Sequence, residues 1–189
     1  MVNNDTERVF VGVRLIDEIA RELSRIASEL EAPGVRLVAA ADLHLTLVAP
    51  WEEASLPRAI ATMQAAVAGC PATELIIQHV GYAPDPRRPR FLWADCVPGA
   101  RLAALRTALL SAFGQEDDRP FRPHVTLARI RHGGARIARN HPIDRSLSLV
   151  QPVTSVELFQ SPRAGESGYR VLASAALQQN PHAAHDATL

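Results

Sequence analysis

Two four-residue segments constrain this chain more than anything else in it: "HLTL" at residues 44–47 and "HVTL" at residues 124–127. Each carries a histidine and a threonine two apart, with apolar residues between and after. On a β-strand successive side chains alternate between faces. Such a segment turns His44 and Thr46 one way and Leu43, Leu45 and Leu47 the other. His124 and Thr126 likewise share a face, backed by Val125 and Leu127. Chance predicts roughly 0.3 His-x-Thr pairs in a chain with this content of the two residues, and on the order of 0.01 once the apolar flanks are required. Each copy is therefore expected to be an apolar anchor that presents an imidazole beside a hydroxyl. If the fold brings both strands to one cleft, two His and two Thr converge on a small volume.

Two imidazoles across a cleft suit proton transfer at phosphorus. Histidine titrates near neutrality, so one ring can take a proton from a nucleophile while the other gives one to the leaving oxygen. Threonine hydroxyls can donate to non-bridging oxygens where charge accumulates. Neither a metal nor another cofactor is expected, since no Asp, Glu or Cys accompanies either His at ligand spacing. Composition narrows the chemistry further. All 20 basic residues are Arg and none is Lys. That excludes a Walker-type phosphate loop, a Schiff-base enzyme and a lysyl-adenylate ligase, each of which depends on a Lys amine. Arg is also suited to bidentate phosphate contacts.

The frame around the motifs alternates strands and helices. Residues 7–14, 35–39, 43–48, 73–83 and 90–97 read as strands, the third closed by Pro50. Residues 16–30, with Ile19, Leu23, Ile26 and Leu30 at helical spacing, read as an amphipathic helix. Further helices are expected over 55–70, with Ser55 as N-cap, and over 99–114, ended by Gly114. After the second motif come a Gly/Arg-rich loop (131–146), strands at 153–161 and 169–177 around the "PRAGESG" turn, and a disordered tail, 179–189. Many strand–strand links are too short for parallel crossovers. The expected fold is thus α+β: a single two-lobed, pseudo-duplicated domain over 1–178, with intertwined lobes of roughly 1–83 and 84–178. Mainly antiparallel sheets should flank a central cleft, with helices on the outer faces.

A chain of 189 residues with 47% hydrophobic content and zero formal net charge can bury a proper core. No apolar run approaches the ~18–20 residues of a membrane span, and the start "MVNNDTERVF" shows no secretory pattern. Cys70 and Cys96 are too few for a disulfide scaffold, so a reducing, cytoplasmic setting is expected. The neutral balance argues against coating long nucleic acids, while seven Arg between residues 119 and 145 make that region locally basic.

"HLTL" together with "FRPHVTLAR" resembles the two-histidine phosphoesterases, specifically the LigT-like RNA 2′,3′-cyclic phosphodiesterases of the 2′-5′ RNA ligase family. "RPRFLWADCV" and "VELFQSPRAGESGYRVLASAAL" agree in order, so the resemblance covers nearly the whole chain before the tail. It implies metal-independent hydrolysis of a 2′,3′-cyclic phosphate to a 2′-phosphate. His124 would activate water, His44 would protonate the departing 3′ oxygen, and Thr46 and Thr126 would hold the phosphate. It also implies Arg129 as a phosphate contact, yet strict alternation puts Arg129 on the face of Val125 and Leu127 unless the strand bulges. Arg122 has the correct parity, and both arginines stand as candidates. Where many members continue the first motif with Phe-Leu-Gly, this chain has "VAPW". Trp51, Tyr82 and Phe121 could stack on a base.

RNA ends or small cyclic-phosphate nucleotides are the expected substrates, with 2′–5′-linked or cyclic oligonucleotides, or reverse 2′–5′ ligation, as alternatives. A non-catalytic nucleotide-binding module is a further alternative. No membrane partner is expected, and monomer is the default. His79, His132, His141, His182 and His185 are read as packed or solvated.

Overall fold

The computed structural model describes residues 6–163 and 166–179. Nine strands form one sheet, antiparallel at every pairing of named strands. They are β1 (Glu7–Arg14), β2 (Val35–Leu37), β3 (His44–Glu53), β4 (Thr73–Ala83), β5 (Phe91–Cys96), β6 (His124–Ile130), β7 (Asp144–Val153), β8 (Ser155–Gln160) and β9 (Arg170–Ala176). Across the sheet the order is β7-β4-β5-β6-β3-β1-β8-β9, with β2 paired to the free stretch of β6. With the helices α1 (Asp17–Ala27), α2 (Leu56–Val67), α3 (Ala100–Ala112) and α4 (Gly134–Asn140), the architecture is α+β. The strand β4 lies between β5 and β7, while β8 and β9 extend the sheet beyond β1. Each wing therefore takes strands from both sides of residue 83.

The two wings meet where β3 pairs with β6, at Leu45 opposite Val125. These two residues face the core, and both are fully buried. One buried cluster gathers Leu43, Leu45, Leu47, Val125 and Leu127 with Ile19, Leu23 and Ile26 of α1, Met63 of α2 and Leu105 and Leu109 of α3. The apolar rows of the helices thus clamp the backs of both motif strands. At ~25 cal/mol per Å² of apolar surface, this burial is what fixes strand register, since a one-residue slip would turn each Leu to solvent. Asp17 and Glu18 in the first turn of α1 and Arg25 in its last complement the helix dipole. Cys70 and Cys96 are free thiols, and burial pushes Cys96 up to about 12, so it stays protonated. No helix among the described residues is long and apolar enough to cross a membrane.

Several elements differ from the sequence expectation. The strand β3 runs on through Pro50 to Glu53 instead of closing there. Val9 pairs with Trp51 and Val11 with Val48, so β3 carries an extra residue around Pro50. A bulge is where a strand accommodates a residue without an N–H. Residues 131–146 are not one loop: α4 occupies 134–140 and β7 begins at Asp144. The strand β7 lies at the sheet edge, and only alternate residues from Leu147 turn inward, which dilutes its apolar signal. Ser55 precedes α2 as expected but makes no side-chain cap; its N–H instead donates to Glu53 Oε1 at 2.8 Å. Residues 164 and 165 of the expected hairpin turn, and all of the expected tail beyond Gln179, lie outside the described residues.

Gly12 is required where β1 passes β3. It pairs with Thr46 on one side and Glu157 on the other. A Cβ built there would stand 2.5 Å from the main-chain oxygen of Leu45. That atom belongs to the first motif strand and cannot rotate away. Gly12→Ala is therefore expected to cost about 1–3 kcal/mol, read as a lower midpoint in urea unfolding. An unchanged midpoint would mean that β3 yields freely.

Candidate active site

Antiparallel pairing of Leu45 with Val125 fixes what lies on the opposite face. One residue along in each direction, His44 stands across from Thr126 and Thr46 across from His124. The four motif side chains thus form a crossed, approximately two-fold arrangement. Both histidines are half-buried, and the two threonine hydroxyls have no hydrogen-bond partner among the described residues.

Each imidazole is held in the same manner. His44 Nδ1 lies 2.7 Å from the Asp42 carbonyl oxygen, and His124 Nδ1 lies 2.8 Å from that of Arg122. A carbonyl can only accept, so both rings carry their proton on Nδ1 when neutral, and both leave Nε2 unengaged. The cause is local: in each motif the chain two residues before the histidine turns its carbonyl back under the ring. Aromatic packing fixes the ring planes. Phe10 (4.7 Å), Phe159 (5.5 Å) and the edge-on Tyr169 (4.9 Å) enclose His44, and Trp93 stacks on His124 at 3.7 Å.

Burial lowers the pKa of both histidines below the usual 6.5. For His44 the Asp42 carbonyl and carboxylate oppose this, while the charges of Arg129 and His124 add to it. For His124 the Arg122 carbonyl and Asp95 oppose burial, and the Arg122 charge adds to it. The two imidazoles therefore feel one another and are flanked by different cations.

A bulge sets the face on which Arg129 lies. Leu92 pairs with Ala128 but Trp93 with Thr126, so β6 holds one extra residue at Leu127–Ala128, and both of these are buried. Alternation resets there. Arg129 emerges exposed, on the face of the motif residues, with its guanidinium carbon 5.9 Å from the Phe91 ring centre. Arg122 is also on this face, but it is engaged: Nη2 lies 3.3 Å from Asp95 Oδ1 and its guanidinium sits 5.3 Å over Trp93.

Trp51, Tyr82 and Phe121 do not border the imidazoles by ring contact. Trp51 packs on Phe113, Tyr82 donates its hydroxyl to the His141 carbonyl, and Phe121 lies under Arg106. Their place is taken by Trp93 and Phe91, stacked at 5.6 Å on alternate positions of β5. The alternation of "RFLWADC" carried that signal, since it puts Phe91, Trp93 and Asp95 on one face. Asp42 and Tyr169 also bear on the site: the Asp42 carboxylate accepts the Tyr169 N–H at 2.9 Å, tying the segment before β9 to the histidine it supports. His79, paired with Asp95 on the side away from His124, bridges Asp95 (3.5 Å) and Asp144 (2.6 Å). Among the described residues no group of three His, Cys, Asp or Glu side chains is placed to hold a metal ion.

Comparison with known proteins agrees with this geometry. The family model described as the 2′-5′ RNA ligase superfamily matches residues 10–157. An RNA 2′,3′-cyclic phosphodiesterase of Archaeoglobus fulgidus is 26% identical over 135 residues, covering 69% of this chain and 77% of that one. Among solved structures, TT0787 of Thermus thermophilus superposes with a TM-score of 0.75 at 25% identity, covering 90% of this chain and 97% of that one. E. coli LigT complexed with 3′-AMP gives a TM-score of 0.74 at 27% identity, covering 93% of this chain and all of that one (100%). With its two strand-borne histidines crossed over their threonines, the chain belongs to the 2′-5′ RNA ligase superfamily of two-histidine phosphoesterases.

Proposed function

We propose that this protein hydrolyses the 2′,3′-cyclic phosphate ends of RNA or nucleotides to 2′-phosphates, without a metal, by acid–base catalysis between His44 and His124. The observation that carries the reading is the matched pair of imidazoles, each with Nδ1–H spent on a carbonyl and Nε2 left to react. His124 Nε2 takes a proton from water as its oxygen attacks phosphorus. The bond from phosphorus to the 3′ oxygen breaks, and His44, entering as the imidazolium, delivers its Nε2 proton to that oxygen. Asp95 favours the imidazolium that forms at His124, whereas Arg129 makes a protonated His44 the stronger acid. Thr46 and Thr126, with no hydrogen-bond partner among the described residues, donate to the non-bridging oxygens, and Arg129 offsets the developing charge. Arg122, held by Asp95 and Trp93, acts first on the second imidazole and contacts phosphate only by leaving Asp95.

Names of relatives support the substrate class. The Archaeoglobus protein is named for this reaction, and E. coli LigT was crystallised with 3′-AMP, a nucleoside monophosphate. The test is incubation with EDTA and an RNA oligonucleotide ending in 2′,3′-cyclic phosphate, the product being assigned as a 2′- or 3′-phosphate. Full turnover to the 2′-phosphate is expected. A 3′-phosphate product, or turnover abolished by EDTA and restored by a divalent ion, would overturn the mechanism. Inactivity on this substrate with cleavage of a 2′–5′ linkage would transfer the same site to that bond.

A further inference from the structure

Beyond the Phe91 end of the site, between the turn that precedes β5 and helix α4, lies a cleft of about 780 Å³. Arg88, Arg90, Arg131, Arg136 and Arg139 line it, with His132 among them, and its described lining contains no carboxylate. Among the described residues none of these five arginines forms an ion pair, although Arg25, Arg58, Arg106, Arg122 and Arg145 elsewhere each hold a carboxylate. A chain of zero formal net charge has thus gathered unpaired cations in one place. Like charges within a Debye length of ~8 Å repel at physiological salt, and a polyanion relieves that repulsion.

The cleft is joined to the histidines by a track of rings and cations. Along the β5–β6 ladder, Asp95 pairs with His124, Trp93 with Thr126 and Phe91 with Arg129. The rings of His124, Trp93 and Phe91 follow one another at 3.7 and 5.6 Å. Phe91 ends the series between two guanidiniums, Arg129 at 5.9 Å and Arg90 at 6.0 Å. Arg90 and Arg131 continue directly into the cleft, and the Ile130 N–H donates to the Arg90 carbonyl to hold the two segments together. Alternating aromatic faces and basic groups suit a single strand, whose bases stack while its phosphates meet cations. At ~3.3 Å per strand residue, Arg131 stands on the order of 20 Å from His124. A mononucleotide at the histidines does not span that distance; a strand of roughly four or more nucleotides does.

We propose that the arginine cleft binds backbone phosphates of an RNA strand whose 3′ end occupies the His44–His124 site, so that the preferred substrate is an oligonucleotide and not a mononucleotide. This rests on the cyclic phosphodiesterase reading. The test compares the intact protein with the Arg131→Gln/Arg136→Gln/Arg139→Gln variant and with the corresponding triple Lys variant, which keeps the charge. Binding of a fluorescent RNA of about ten residues ending in a non-reactive 3′-phosphate is followed by polarisation across a salt series. KM is measured separately for a cyclic-phosphate-ended oligonucleotide and for a 2′,3′-cyclic mononucleotide.

In the Gln variant the oligonucleotide Kd and KM are expected to rise at least about tenfold, and the slope of log Kd against log salt to fall by about 2. The mononucleotide KM stays where it was, and the Lys variant keeps the wild-type salt slope. Equal Kd and slope in wild type and Gln variant would overturn the proposal, as would a KM that rises equally for both substrates. Arginine-dependent binding by a wild type that turns over neither substrate would overturn the phosphodiesterase reading and leave the cleft's ligand standing.

Discussion

Replacing either His44 or His124 by alanine is expected to lower kcat on a cyclic-phosphate substrate by roughly 10²–10⁴-fold, and the double variant to be little worse than the poorer single one. In the proposed mechanism acid and base act in one step, so losing the second removes a partner that already has nothing to exchange protons with. KM should change far less, because on the proposed mechanism Thr46, Thr126 and Arg129 still hold the phosphate. The packing around His44 requires a second substitution. Phe10, Phe159 and Tyr169 enclose that ring, and alanine leaves a void among them. Asparagine places an amide N–H near the position of Nδ1, keeping a donor for the Asp42 carbonyl, and has nothing at Nε2. His44→Asn should therefore match His44→Ala in lost turnover while recovering most of its stability. Single-turnover rates and unfolding midpoints measured together separate the two effects. Turnover within about tenfold of wild type in either single variant would remove that histidine from the chemistry.

Local periodicity explains which parts of this site could be read from the chain. A strand's alternation is a property of a few consecutive residues, so His44 with Thr46, and His124 with Thr126, could be assigned to shared faces without knowing the partner strands. Arg129 could not be placed by the same rule. Its face depends on the extra residue at Leu127–Ala128, visible only as a slip against Leu92 and Trp93 of β5. The bulge at Pro50 is the same kind of event: a proline that reads as a strand end is carried inside β3 by an irregularity seen only against β1. Trp93 and Phe91 were accessible in principle, since both occupy the parity of Asp95. Their role is not legible locally, because nothing within β5 says that its Asp95 lies beside His124. Asp42 and Tyr169 belong to a third kind. Their contact joins residues 127 positions apart, and only the pairing of β9 with β8, which itself lies beside β1, brings them together. The strand β7 illustrates the limit for whole elements. On the sheet edge, with Ser146, Ser148, Val150 and Pro152 outward and Leu147, Leu149, Gln151 and Val153 inward, neither row is cleanly polar or apolar, and the strand acquires its identity from β4.

Arg129→Gln is expected to lower kcat/KM by on the order of 10²–10³-fold, the scale of removing one preorganised group from developing charge, and also to change the pH profile. In the free protein both imidazole pKa values are lowered chiefly by burial, so the wild-type bell of kcat/KM against pH should lie on the acid side of 6.5. Arg129 adds to the effect at His44 alone: a cation nearby disfavours a second positive charge. Removing it lets His44 hold its proton to higher pH, and the limb that reports His44 moves upward. Burial persists in the variant, so the displaced limb does not pass beyond the ordinary imidazole range. The other limb belongs to His124, whose neighbouring cation is Arg122, and it should remain fixed. Arg122→Gln reverses the pattern, raising the His124 limb and sparing that of His44. The pair of profiles thus assigns each limb to its histidine, a distinction that activity loss alone does not provide. If Arg129→Gln lowers activity and neither limb moves, its guanidinium serves the phosphate without setting the acidity of His44; if both limbs move together, the two imidazoles titrate as one coupled unit.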